Sequence, residues 1–87
     1  MRPAAQLQAT IDLLDEISHT RRPADRCMAD YFRARRYIGS KDKRSVSENL
    51  YSVLRNKLSY SYLLEQQGLS VNPRMLCAVL TVLEGNQ

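Results

Sequence analysis

Five residues divide the chain: Pro3, Pro23, Gly39, Gly68 and Pro73. Between them the apolar residues recur at spacings of three and four, which places them along one face of a helix rather than on alternate sides of a strand. No stretch alternates β-branched and polar residues as a half-buried strand would. The expectation is an all-α fold, a small helical bundle of about four helices. With 87 residues, 44% of them hydrophobic, the chain suits one small domain that buries about 60–65% of its unfolded surface.

In the first segment Leu7, Ile11, Leu14 and Ile17 share one face of a helix from about Pro3 to His19, with Asp12, Asp15 and Glu16 mostly toward water. The second opens around Pro23, which a first helical turn tolerates, and Asp25, which favours the positive end of the helix dipole. Its buried stripe is read as Ala24, Cys27, Met28, Tyr31, Phe32 and Ile38, stopped by Gly39. Ser40 or Asp42 then caps a third, longer helix that ends at Gly68. Val46, Leu50, Val53, Leu54, Ser61 and Leu64 mark its inner face, which Tyr51, Leu58 and Tyr62 are expected to widen. Pro73 starts a last helix in which Leu76, Val79, Leu80 and Leu83 form the stripe and Met75, Cys77 and Val82 make it apolar over much of its circumference. A helix of that kind expects burial on several sides. Self-association through it, or further sequence beyond Gln87, would supply the cover.

Charge is distributed unevenly. Residues 21–57 hold eleven basic and four acidic side chains, a net +7, while the flanking segments together carry −3. Within "RARRYIGSKDKR", Arg33 to Arg44, six of twelve residues are basic. Arg33, Arg35, Arg36, Lys41, Lys43 and Arg44 converge where two helices meet at Gly39, joined along the third helix by Arg55 and Lys57. Such a patch is the electrostatic footprint of phosphate binding. Arginine dominates it, and the planar guanidinium suits bidentate phosphate contacts. A helix N-terminus near Ser40 adds backbone N–H donors. A solvated face fits the same composition. Tyr37 has two readings, a platform for an unpaired base or a ring packed against the corner.

Other chemistry finds no footing in the residues. The chain has no glycine-rich phosphate loop, no HExxH and no Gly-x-Ser-x-Gly. Its single histidine, His19, stands at a helix end, and Asp12, Asp15 and Glu16 lack a second cluster for acid–base work. No catalytic residue and no metal ligand is assigned. Cys27 and Cys77, fifty residues apart in apolar patterns, read as reduced, packed thiols. No apolar run approaches a membrane span and the N-terminus does not read as a signal peptide, so a cytoplasmic protein with no membrane partner is expected.

The segment "RPADRCMADYFRARRYIGSKDKRSVSENLYSVLRN", Arg22 to Asn56, resembles the N-terminal region of bacterial RNA cytosine C5-methyltransferases of the RsmB/Sun type, particularly the alphaproteobacterial members. Its most specific piece is the Gly39–Arg44 junction followed by "LYSVLR". The resemblance implies a NusB-like helical RNA-binding domain, residues 1–87, standing as the N-terminal part of a longer chain. It implies a role in positioning RNA, ribosomal by the family's substrate, for an S-adenosylmethionine-dependent methyltransferase in the parent protein. Lys41, Asp42, Lys43 and Arg44 fall on the junction motif. Lys41, Lys43 and Arg44 become phosphate contacts by this reading, while Asp42 caps the helix or pairs with Arg44. Arg55 closes the "LYSVLR" segment, with Tyr51 and Leu54 read as core. The family's cofactor-binding segments and catalytic cysteines are absent from these 87 residues, so this stretch alone is not expected to be an enzyme. Two alternatives stand beside it: a free-standing NusB-like antitermination factor, and a helical protein–protein interaction module.

Overall fold

The structure, a computed structural model, describes residues 2–84. The all-α expectation holds: the described residues form helices α1 (Pro3–Ser18), α2 (Ala24–Ala34), α3 (Ser40–Arg55), α4 (Lys57–Gln66) and α5 (Pro73–Glu84). Pro3 and Pro73 each open a helix, where the missing N–H costs no intrahelical bond. Asn72 caps α5, its Oδ1 accepting from the backbone N–H of Met75 at 2.9 Å.

Helix α1 lies at the centre and packs against α2, α3 and α5, while α4 packs on α5 and the end of α3. The core is drawn from every helix: Leu13 and Leu14, Tyr31, Val46, Leu50 and Val53, Tyr60 and Leu64, and Leu76, Cys77 and Leu80. On α1 the inner face is centred on Ala9, Thr10, Leu13 and Leu14, with Leu7, Ile11 and Ile17 half-buried along its edges. The buried Thr10 hydroxyl donates to the Gln6 carbonyl at 2.9 Å, so no polar group is left without a partner there.

Two expected boundaries move. Helix α2 ends at Ala34, and Ile38 reaches the core from the following turn at 2% exposure. The long third helix is two helices, interrupted at Asn56, whose backbone (φ −108°, ψ 14°) lies in the bridge region rather than the helical well. The Asn56 side-chain amide donates to the Ser52 carbonyl at 2.8 Å, and the competition of such a side chain with helical backbone bonding favours a break. Tyr60 then fills the buried position that Ser61 was expected to take. Tyr51, Leu58 and Tyr62 do not widen the core: they are 39%, 88% and 63% exposed.

Helix α4 ends in a Schellman motif. The Leu69 N–H donates to the Leu64 carbonyl at 2.9 Å and that of Gly68 to the Glu65 carbonyl at 3.0 Å, with Gly68 at φ 71°. Cys27 and Cys77 are free, buried thiols. Among the described residues no helix is long and apolar enough to cross a membrane.

Candidate nucleic-acid interface

The turn between α2 and α3 shapes the basic corner. A backbone bond from the Ile38 N–H to the Arg35 carbonyl, 3.1 Å, closes a tight turn with Arg36 and Tyr37 at its tip. Burial of Ile38 anchors the turn, and the two tip side chains are driven outward. Tyr37 is 78% exposed, so the ring is not packed into the corner. Helix α3 starts immediately after, with Gly39 at its N-cap and no side-chain cap. The expected Ser40 or Asp42 cap is therefore not made. Asp42 accepts instead from the Gln6 side-chain amide at 2.9 Å, tying the start of α3 to α1. That bond holds the Asp42 carboxyl below its ordinary range, with the neighbouring Lys41 charge acting in the same direction.

The seven basic residues singled out from the sequence divide by what their side chains already hold. Arg33 pairs with Asp30 at 3.2 Å, and Asp30 also takes Arg22. Arg35 folds back over the Tyr31 ring, 3.8 Å from its centroid, and donates to the Tyr31 carbonyl at 3.4 Å. Lys43 is half-buried with its ammonium 6.0 Å from the Phe32 ring centre. Arg33 stays 73% exposed in that pair, whereas Arg35 and Lys43 lie partly buried against α2. Arg36, Lys41, Arg44 and Arg55 are exposed. Of them only Arg44 has an ion-pair partner among the described residues, Glu48 at 3.4 Å, and both groups of that pair are largely in water.

The structure does not gather all of these cations at one point. Arg55 stands eleven residues beyond Arg44 on α3, about 16 Å along the axis. The cations form a corner at Arg36, Lys41 and Arg44 with an extension down the outer face of α3. That extension is a shallow groove lined by Arg44, Ser47, Glu48, Tyr51, Ser52 and Arg55. Reading Tyr51 as core missed its part in the groove. The spacing carried the signal, since 44, 48, 51 and 55 are separated by fours and threes and so share a face.

His19 sits at the C-cap of α1 with Nδ1 2.7 Å from the Asp15 carbonyl oxygen, an arrangement of the helix end. No group of three metal-ligating side chains occurs among the described residues. No protein-family model, curated protein or solved structure matches the chain.

Proposed function

We propose that this chain is an RNA-binding helical domain that helps position ribosomal RNA for an S-adenosylmethionine-dependent cytosine C5-methyltransferase. The observation that carries the RNA-binding part is the set of exposed cations, Arg36, Lys41 and Arg44 at the corner and Arg55 on its extension, with Tyr37 held out at a turn tip. Cations free of buried partners lose little on meeting a phosphate, and an exposed ring offers a face to an unpaired base. The methyltransferase context rests on the likeness of Arg22 to Asn56 to the RsmB/Sun type. By that reading the cofactor belongs to a separate catalytic domain, and no residue of this chain is assigned to it.

Binding of a labelled single-stranded RNA measured across a salt series tests the proposal. With about four phosphates neutralised, log K should fall against log[salt] with a slope of about −2.8. Arg36→Glu with Arg44→Glu should weaken binding and flatten that slope. A wild-type chain that fails to bind, or a double variant unchanged in both quantities, would remove the phosphate-facing corner.

A second reading, an interaction module acting through α4 and α5, is favoured by a specific observation. Leu63, Leu69, Met75, Val79 and Leu83 line an apolar groove between the two helices, and Leu63, Leu69 and Leu83 are about half exposed. Residues 57–84 carry two basic and two acidic side chains, so this hairpin is neutral on a chain of net charge +4. A second copy docking there would meet no like-charge excess.

A further inference from the structure

We propose that the outer face of α3 is a track for single-stranded RNA, with Tyr51 as a second stacking platform beyond Tyr37. This rests on the RNA-binding reading above and adds to it a path, a residue and a preference for unpaired strands.

The geometry follows from the helix repeat. At 3.6 residues per turn, Lys41, Arg44, Glu48, Tyr51, Ser52 and Arg55 fall within an arc of about 100°. The same count places that arc opposite Val46, Leu50 and Val53, which are fully buried. The stripe is held outward by the packing of the helix and extends about 21 Å from Lys41 to Arg55. Read from the turn along α3, aromatic and basic side chains alternate: Tyr37, Lys41 and Arg44, Tyr51, Arg55. Alternation of stacking rings with cations is the pattern by which proteins follow a single strand, because every base has a face to stack and every nucleotide a phosphate. A ring offers a paired duplex no such face.

Within the groove Tyr51 lies between Arg44 and Arg55. Its 39% exposure leaves part of the side chain in contact with the helix surface and part open to a ligand. Ser52 also lines this floor, while the Ser47 hydroxyl is turned to the Lys43 carbonyl at 2.7 Å and to Met28 of α2. Glu48 is the one unfavourable group for a phosphate, and its exposed pairing with Arg44 at 3.4 Å is cheap to break. The track therefore predicts that Glu48→Gln tightens binding.

Fluorescence anisotropy with a labelled oligouridylate, and with a blunt RNA duplex of the same length, separates this proposal from the reading it rests on. Tyr51→Ala should bind the single strand roughly 5- to 160-fold more weakly, the range for losing one base–aromatic stack. Its salt slope should stay unchanged, since no charge is lost. Tyr51→Phe should restore affinity, and Arg55→Gln should flatten the slope by about 0.7. In the wild-type chain, the Tyr51 ring protons should shift upfield on adding oligouridylate and not on adding inorganic phosphate, a readout independent of how any variant folds. If Tyr51→Ala binds as wild type and the Tyr51 ring signals of the wild-type chain do not move, while Arg36→Glu with Arg44→Glu still abolishes binding, the track is overturned and the corner stands. If the wild-type chain binds neither RNA, both fall. Equal affinity for strand and duplex would also overturn the track.

Discussion

Cys77 shows what burial does to one side chain. It lies 2% exposed between α1 and α5, and desolvation raises its thiol from the ordinary 9.0 to about 11, only partly offset by the Arg74 charge. In the unfolded chain the thiolate forms near the ordinary value, whereas the folded chain keeps the proton. The stability tied to the neutral thiol is therefore complete below about pH 9 and is lost as pH rises toward 11. Chemical denaturation between about pH 8 and 10 should show stability falling with pH in the wild type and a shallower fall in Cys77→Ala. Equal slopes would place the alkaline loss elsewhere. The window stays below 10 because Tyr31 and Tyr60, both raised by burial, add a loss of the same sign above it. Sequence spacing made Cys77 a packed thiol and made Arg44 and Arg55 surface cations. It did not reveal that Arg35 folds back over the Tyr31 ring, because that contact depends on rotamers and on where α2 ends.

At the scale of the elements, helix ends were more legible than helix continuity. Gly68 was readable as a terminator, and its φ of 71° shows why glycine suits that place. A Cβ added there meets nothing within 4 Å, so the cost of Gly68→Ala is backbone strain alone, about 1–2 kcal/mol. Thermal or urea unfolding should show that loss, and Gly68→Asn should lose less, since asparagine tolerates the left-handed region. No destabilisation in Gly68→Ala would mean the chain can leave the Schellman geometry at no cost. The break at Asn56 was not legible, because the inner stripe of Val46, Leu50, Val53 and Leu64 keeps its phase across it. A periodic pattern reports which side of the chain is buried and is silent on one non-helical residue that preserves that side.

Most of the exposed large apolar residues of the molecule lie on α4, α5 and the turn between them. The molecule measures 39 × 33 × 16 Å. Helix α4 makes its main contacts with α5 and the end of α3 and so lies at the edge of the bundle. Helix α4 carries Leu58, Tyr62 and Leu63 to the surface, and the groove it forms with α5 adds Leu69 and Leu83. The chain should self-associate through this groove. Sedimentation equilibrium at rising protein concentration should show a species heavier than one chain, reduced to the monomer by Leu63→Glu with Leu83→Glu. Added salt should not disperse it, in contrast to the RNA complex, because apolar burial is not screened. A monomer at high concentration would count against the interaction-module reading.

The sequence by itself determined the helical class, the helix starts at Pro3 and Pro73, the stop at Gly68, the centres of the inner stripes and the concentration of positive charge between residues 21 and 57. Each of these follows from local periodicity, backbone restriction or simple count. Only the tertiary structure decided which cations are free. Packing of Ile38 sends Arg36 and Tyr37 outward, a cation–π contact draws Arg35 inward, and burial of Val46, Leu50 and Val53 turns Arg44, Tyr51 and Arg55 to the opposite face. Those outcomes depend on which neighbouring element occupies each side of a helix, a relation between distant residues that local spacing does not contain.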